Sequence, residues 1–160
     1  MPQSSTPGLR IGVIADTHGL LREEALAQLQ GCDRLIHAGD IGNPEILARL
    51  EAIAPLTVVR GNNDRADWAQ QLPERLRLRF GEIGVYLLHD LKQLDIDPGA
   101  EGIGVVIAGH SHKPLLETRQ GVLYLNPGSA GPRRFKLPVS LGLLHIDAKG
   151  VRGELIELTL

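Results

Sequence analysis

Residues 11–18 read Ile-Gly-Val-Ile-Ala-Asp-Thr-His, an apolar stretch that turns polar within one residue. The apolar part, residues 11–15, has the length of a strand and no polar alternation, which predicts a strand buried on both faces. Asp16 and His18 follow two positions apart, so in extended chain both side chains project to the same side. We therefore predict a buried strand that ends in a pair of metal-binding side chains.

The chain that follows alternates helix and strand signals. Apolar side chains at the period of a helix mark residues 21–29, and Gly31 is the predicted end of that helix. Residues 35–38 and 56–59 are further apolar runs of strand length. Asn43-Pro44 between them suits the start of a second helix, because Asn is a good N-cap and Pro is tolerated at the first position. This order predicts parallel strands joined by right-handed crossovers.

The second half of the chain shows hairpin patterns instead. Turn-forming residues separate paired apolar segments, and residues 105–108 form a further buried strand. The predicted hairpins join 75–80 with 85–88, 115–118 with 122–125, and 139–146 with 152–160. The two halves together predict a mixed α/β fold of two facing sheets with helices outside.

Side chains that bind metals collect directly after the apolar strands. They are Asp16 with His18, Asp40, Asn62 to Asp64, His89 with Asp90, and His110 with His112. The carboxyl ends of parallel strands face the ligand crevice of an α/β sheet, so we expect these side chains to converge. Glycine precedes Asp40, Asn62 and His110, and we expect it to let the backbone turn sharply at each position.

The candidate donors indicate the kind of metal. Carboxylates, imidazoles and an amide oxygen without any thiolate exclude a structural cysteine-type zinc site and favour a hydrolytic centre of Mn, Fe, Zn, Ni or Co. These donors are too many for one cation that must also bind water and substrate. We predict two divalent metal ions per chain, about 3.5–4 Å apart and bridged by Asp40. The predicted ligands are Asp16, His18, Asp40, Asn62, His89, His110 and His112.

The ordered motifs resemble the calcineurin-like metallophosphoesterase superfamily. They are Asp16-x-His18, Gly39-Asp40, Gly61-Asn62-x-Asp64, His89 and Gly109-His110-x-His112. Asn126-Pro127-Gly128-Ser129 narrows the resemblance to the small bacterial and archaeal phosphodiesterases, to which the retromer scaffold subunit is also similar. The resemblance implies a four-layer α/β/β/α sandwich. It also implies that one metal takes Asp16, His18, Asp40 and His112, and the other Asp40, Asn62, His89 and His110.

Two positions depart from the pattern of the family. Asn63 stands where many relatives have a histidine that protonates the leaving group, and an amide has no proton to give at neutral pH. Asp90 stands where many relatives have glycine, and its carboxylate either repels an anionic substrate or orients His89 from outside the metal shell. We interpret Asp64 as a buried side chain that orients the site rather than as a ligand.

Composition and charge restrict the possible partners and location. The chain has 160 residues, 42% of them hydrophobic, and a net charge of −2, which argues against an extended nucleic-acid-binding surface. Cys32 is the only cysteine, so an intrachain disulfide is excluded. Residues 1–8 form a predicted disordered tail without the pattern of a secretory signal, and residues 9–160 a predicted single metallophosphoesterase domain. Without a membrane-length apolar run, we predict a cytoplasmic protein; a homo-oligomer is compatible with the sequence.

The predicted function is hydrolysis of a phosphoester, more specifically a diester of a small molecule or a nucleotide-like compound. Arg133 and Arg134 are candidate phosphate contacts, with a solvated basic turn as the equal alternative. A non-catalytic metal-binding scaffold for protein interactions and a protein Ser/Thr phosphatase remain alternatives. The predicted catalytic groups around a metal-activated hydroxide are Asp40, Asn62, Asn63 and His89.

Overall fold

The computed structural model describes residues 8–160, so the predicted tail, apart from Gly8, lies outside the described residues. The strands are β1 Leu9–Ile14, β2 Arg34–His37, β3 Leu56–Val58, β4 Arg75–Phe80, β5 Ile83–Leu88, β6 Ile103–Ile107, β7 Leu115–Arg119, β8 Val122–Asn126, β9 Ser140–Asp147 and β10 Gly150–Glu157. The helices are α1 Glu23–Leu29, α2 Pro44–Glu51 and α3 Asp67–Gln70. Two 3-10 turns cover Leu91–Gln93 and Gly99–Glu101.

The strands form two sheets of five strands each, in the orders β10-β9-β1-β2-β3 and β4-β5-β6-β8-β7. In the first sheet β1, β2 and β3 are parallel, while β9 and β10 add an antiparallel hairpin beside β1. In the second sheet β5, β6 and β8 are parallel, with the antiparallel strands β4 and β7 at the two edges. Both sheets are therefore mixed, and each has a parallel centre whose strand ends point the same way.

The two sheets face each other across a dry apolar layer. One cluster of buried side chains joins Ile11 and Val13 of β1 to Val85 of β5 and to Val105 and Ile107 of β6. Because β1 is covered on both faces, its side chains read as a continuous apolar run rather than an alternating one. This confirms the predicted sandwich of two facing mixed sheets.

The outer faces of the sheets are covered unequally. Helices α1 and α2 pack against the first sheet through Ala25, Leu29, Ile46 and Leu50, all of them buried. On the second sheet the outer cover consists of the two 3-10 turns and the loop between them, which place half-buried Leu91, Leu94 and Ile96 over the strands. None of the helices within residues 8–160 has the length and apolar character needed to cross a lipid bilayer.

Short sequence signals such as caps and turns predicted where several elements begin and end. The predicted cap of α2 is present, because the side chain of Asn43 accepts a hydrogen bond from the amide of Ile46 and Pro44 opens the helix. The turn between β4 and β5 is two residues, Gly81-Glu82, and therefore shorter than the predicted turn. Helix α3 was not predicted, because four residues carry too short an apolar period to register.

The packing of α1 on β1 leads to a stability prediction at Gly12. A methyl group on Gly12 would lie 2.5 Å from Cδ2 of Leu29 and 2.8 Å from Cδ2 of Leu35, so these two buried side chains must move to accept it. We expect Gly12→Ala to lower the free energy of unfolding of the metal-free protein by about 1–3 kcal/mol, measured by urea denaturation. Gly99→Ala, where the new methyl meets only ordinary contacts, should change it by less than about 0.5 kcal/mol. Equal stability of the two variants would contradict this packing.

Candidate metal centre

All seven predicted ligands meet at one edge of the sandwich, where the parallel strands of both sheets end. Asp16 and His18 follow β1, Asp40 follows β2, and His89 follows β5. The remaining ligands, Asn62, His110 and His112, stand in the loops after β3 and β6. The side chains arrive from both sheets, so the centre exists only when the two sheets face each other.

The first cluster contains Asp16, His18 and His112, whose ligand atoms all lie within 4.8 Å of one another. Nε2 of His18 lies 3.3 Å from Nε2 of His112 and 3.8 Å from Oδ1 of Asp16. Nε2 of His112 lies 3.7 Å from the same oxygen of Asp16. Ligands on a tetrahedral shell of bond length 2.0–2.1 Å are about 3.4 Å apart, so this spacing fits a transition metal.

The second cluster contains Asp40, His89 and His110, again with ligand atoms within 4.8 Å of one another. Nε2 of His89 lies 3.1 Å from Oδ2 of Asp40. Nδ1 of His110 lies 3.1 Å from Oδ1 of Asn62, which brings the amide oxygen to the same place. The predicted set Asp40, Asn62, His89 and His110 is therefore assembled.

Asp40 stands between the two clusters. Its Oδ2 lies 3.1 Å from Nε2 of His89 and 3.6 Å from Nε2 of His18, one histidine of each cluster. Burial alone would raise the pKa of this carboxyl, but the adjacent His89 ring lowers it to about 2. Asp40 is thus an ionised carboxylate that lies between the two clusters.

The surroundings of the Asp16 carboxylate show whether a cation fits beside it. Its Oδ1 is buried and accepts no hydrogen bond from any residue in the described part of the chain. Three imidazole Nε2 atoms face this oxygen, from His112 at 3.7 Å, His18 at 3.8 Å and His89 at 3.9 Å. Without a cation, burial raises the pKa of the Asp16 carboxyl to about 7. An unpaired buried carboxylate is costly, and a divalent ion at this point removes the cost.

Burial shifts the pKa values of the two histidines of the first cluster toward the neutral form that metal ligation requires. Burial, and next the charge of Arg134, lower the pKa of His112 to about 4. Burial also lowers the pKa of His18. Burial would lower the pKa of His89 too, but contact with the Asp40 carboxylate and the Ala38 carbonyl raises it. Nδ1 of His89 donates to the carbonyl oxygen of Ala38 over 2.7 Å, which turns Nε2 with its lone pair toward Asp40.

The ligands are held in unusual backbone conformations. Five ligands have positive φ angles, namely Asp16 at 55°, His18 at 44°, Asp40 at 59°, His110 at 74° and His112 at 63°. Residues with a side chain seldom adopt this left-handed region, and each instance stores strain of order 1–3 kcal/mol. The surrounding fold therefore has to hold these loops in place.

Two of the three glycines before the ligands serve a different purpose from the predicted sharp turn. Of the three, Gly39 alone has a positive φ, of 104°, as the expected sharp turn requires. At Gly61 a Cβ atom would lie 2.1 Å from Oδ1 of Asp40, and at Gly109 a Cβ would lie 2.9 Å from Cβ of Ala15. Glycine is needed at these two positions because neighbouring loops approach each other closely, not because the backbone turns.

Asp64 holds two of the ligand-bearing loops together, the one after β2 and the one after β3. Its buried carboxylate accepts hydrogen bonds from the backbone amides of Asp40 at 2.9 Å, Ile41 at 2.9 Å and Gly61 at 2.8 Å. A ligand role would leave these amides unpaired. The interpretation of Asp64 as an orienting side chain agrees with these contacts.

Thr17 and His37 form a second set of hydrogen bonds that holds the ligand-bearing loops, and the sequence did not predict it. The amide of Gly39 donates to Nδ1 of His37, and Nε2 of that ring lies 3.0 Å from the hydroxyl of Thr17. The Thr17 hydroxyl donates to the carbonyl of Ile41 over 2.7 Å. Burial lowers the pKa of His37 to about 3, so the ring is neutral. The position of His37 inside an apolar strand gave no signal of these partners.

The Asn126–Ser129 segment braces the centre from the second sheet. The side-chain amide of Asn126 donates to the carbonyl of Gly109 and to the hydroxyl of Ser111, on either side of His110. The Ser129 hydroxyl donates to the carbonyl of Asp16 over 3.1 Å. The motif therefore acts on the site through its backbone neighbours.

The remaining predicted residues lie around the centre. The amide of Asn63 donates to Oδ1 of Asp40 over 2.9 Å, and its Nδ2 donates to Oδ2 over 3.3 Å. The carboxylate of Asp90 lies 3.8 Å from Nε2 of His110. Of the two roles that the sequence left open for Asp90, orientation of His89 is not seen, because Nδ1 of that ring donates to Ala38 instead.

The two candidate arginines lie on an exposed loop. Arg133 and Arg134 stand next to each other between β8 and β9, and both are exposed. The charge of Arg134 acts on the pKa values of Asp16, His18 and His112, so this guanidinium lies on the side of the first cluster.

Two facing mixed sheets that bring adjacent carboxylate and imidazole clusters to a shared edge define a metal-binding α/β sandwich. The family model of the calcineurin-like phosphoesterase superfamily domain matches residues 9–149. The chain belongs to this superfamily of metal-dependent phosphoesterases.

Known proteins agree with this assignment. A probable metallophosphoesterase of Methanothermobacter thermautotrophicus is 32% identical over an alignment of 162 positions. The alignment covers 92% of this chain and 91% of the relative. The structure of an archaeal phosphodiesterase has a TM-score of 0.75 at 21% identity, covering 92% of this chain and 100% of that one. A mutant of Vps29 from Entamoeba histolytica has a TM-score of 0.73 at 22% identity, covering 94% of this chain and 100% of that one. At these identities the two structures show the shared fold alone.

The raised pKa of Asp16 leads to a prediction about proton release. Below pH 7 the metal-free carboxyl is largely protonated, and a cation must displace that proton. At pH 6 we expect Mn²⁺ binding to release about one proton or more, and affinity to rise with pH up to about pH 8. Calorimetric titrations in buffers of different ionisation enthalpy measure both the number of protons released and the affinity for Mn²⁺. Binding without proton release at pH 6 would contradict the burial of an unpaired Asp16.

Proposed function

We propose that this protein is a phosphodiesterase with a dinuclear metal centre. The observation that carries the proposal is Oδ2 of Asp40, which lies within 3.6 Å of one histidine from each cluster. One carboxylate oxygen between two sets of ligands supports two adjacent cations rather than one. The exposed side chain of Asn63 donates to this buried oxygen, so the carboxylate lies just beneath the surface that a substrate reaches.

The residues of the chain have separable roles in this proposal. Asp16, His18 and His112 hold one cation, and Asn62, His89 and His110 hold the other, with Asp40 shared. When bound, the cations lower the pKa of water and neutralise the charge that develops on the phosphate. Their identity among Mn, Ni, Fe, Co and Zn follows supply as well as ligand type.

Asn63 has a restricted part in the reaction. Its backbone amide and Nδ2 both point to Asp40, so the side chain orients the bridging carboxylate and leaves one N–H for a phosphate oxygen. An amide cannot protonate a departing alkoxide at neutral pH. The enzyme should therefore favour esters with acidic leaving groups, which depart without a proton.

Arg134 is the stronger of the two candidate phosphate contacts. Its positive charge lowers the pKa of Asp16, His18 and His112, which requires it to lie on the open side of the first cluster. A guanidinium there attracts an anionic ester and pairs with a phosphate oxygen. Asp90 faces His110 and fixes the orientation of that ring.

A non-catalytic scaffold is the second candidate, favoured by the structural likeness to the retromer subunit Vps29. Against it, this chain presents a complete set of ligands, including His18. No observation favours the protein Ser/Thr phosphatase. After Gly39-Asp40 the chain continues with buried Ile41 and then Asn43, which caps α2, where those phosphatases have an acid and an arginine. The cytoplasmic location and the oligomeric state remain predictions from the sequence.

A substitution at His18 distinguishes the enzyme from the scaffold. Purified protein loaded with Mn²⁺ should hydrolyse bis(p-nitrophenyl) phosphate, and elemental analysis should approach two metal ions per chain. His18→Phe removes a ligand but no buried core volume, so we expect activity to fall by about 10²-fold or more with an unchanged far-UV circular dichroism spectrum. The metal content should fall together with the activity.

The matched control is His145→Phe. His145 lies on β9 and pairs with Glu154 at 3.0 Å, in the hairpin of the first sheet. This variant makes the same chemical change away from the centre and should keep both activity and metal content. A wild-type protein that hydrolyses no phosphoester with Mn, Ni, Co, Fe or Zn would overturn the proposal and favour the scaffold.

Asn63 generates the prediction about substrate class. Activity on diesters with acidic leaving groups should exceed activity on alkyl monoesters. Asn63→His restores a proton donor and should raise alkyl monoesterase activity, by about 10²-fold at most. Asn63→Gln keeps an amide without a proton to give and should not. A wild-type preference for alkyl phosphomonoesters would show that this account of Asn63 is wrong.

A further inference from the structure

A large cleft lies on the outer face of the second sheet, beside the metal centre. Its volume is about 580 Å³, within the range of pockets that bind small organic molecules. It exists because the outer cover of this sheet is thin. The 3-10 turn at Leu91–Gln93 reaches over the strands near their carboxyl ends, and no α-helix among residues 8–160 fills the space beside it.

The cleft and the metal centre share the His110 ring as a wall. Nδ1 of His110 lies 3.1 Å from Oδ1 of Asn62, inside the second metal cluster. Nε2 of the same ring lies 3.8 Å from Oδ2 of Asp90, which lines the cleft. His110 is exposed, so a molecule bound at the metals can extend past this ring into the cleft.

The lining of the cleft is mainly apolar. Val106, Ala108 and Tyr124 form the floor from adjacent strands, and half-buried Leu91 and Leu115 form opposite sides. An apolar floor with an aromatic ring suits a flat hydrocarbon group rather than a sugar or a second phosphate.

The rim carries an excess of positive charge. Lys92 and Lys113 are exposed on the rim, and neither forms an ion pair with a carboxylate within residues 8–160. Asp90 is the single acidic residue of the lining, and it faces His110. A rim of this sign attracts a ligand that carries a negative charge next to its apolar part, as a phosphodiester does.

We propose that this cleft binds an apolar, aromatic organic group of the substrate, the one that remains on phosphorus when the other ester group leaves. The inference rests on the proposed function and narrows its substrate class to diesters. A monoester has no second organic group to place in the cleft. Asn63 contacts the shared carboxylate of Asp40, whereas His110 contacts Asp90 of the cleft, so the cleft is open to the ester group that does not leave.

The test compares two esters with one leaving group, methyl p-nitrophenyl phosphate and phenyl p-nitrophenyl phosphate. Each kcat/KM of the Mn²⁺-loaded protein is divided by the rate of uncatalysed hydrolysis of the same ester. We expect the corrected value for the phenyl ester to be higher by about fivefold or more, because the cleft removes apolar surface from water. Leu91→Gln should lower the phenyl value by at least about threefold more than the methyl value.

Leu94→Gln is the matched control. Leu94 directly follows the same 3-10 turn and is also half-buried, but it does not line the cleft. It should leave the ratio of the two esters unchanged. Equal corrected values for the two esters, with equal effects of Leu91→Gln on both, would overturn the role of the cleft and leave the proposed function intact. A dimer that Leu91→Gln converts to monomer would assign the cleft to a second copy of the chain. Hydrolysis of neither ester would overturn the proposed function and this inference with it.

Discussion

The structure depends on two carboxylates that are buried side by side. Asp16 is fully buried with one oxygen unpaired, and Asp40 is almost as deeply buried. Bringing two such groups out of water is unfavourable unless positive charge lies between or beside them. Of the imidazoles that converge on these oxygens, His89 has a raised pKa, but the pKa values of His18 and His112 are lowered, so the imidazoles meet that need only in part. The centre is therefore built around cations.

This arrangement requires a rigid surround, because the ligands stand in strained backbone. Strain of this kind persists only where neighbouring contacts determine the conformation, and the braces occur at each loop. Asp64 holds the loops after β2 and β3, and the Thr17–His37 pair holds the loops after β1 and β2. Ser129 connects the loop after β8 to Asp16 of the first sheet, and Asn126 holds the loop after β6 within the second sheet. Stability and metal binding are coupled through these side chains.

One sandwich serves both phosphodiesterases and Vps29, so the fold does not decide the function. Here the ligand set is complete, and the cover of the second sheet is reduced to two 3-10 turns. That thin cover opens the cleft beside His110.

The sequence by itself determined the strands, the first two helices and the positions of the candidate metal ligands. These features are local, because a buried strand is an uninterrupted apolar run and each ligand follows such a run directly. Tertiary structure decided what depends on distant segments. Gly61 and Gly109 are glycines because other loops touch them, Asp90 faces His110 rather than His89, and His37 braces a loop from within a strand. Contacts between segments far apart in the chain leave no periodic signal, so only the folded molecule shows them.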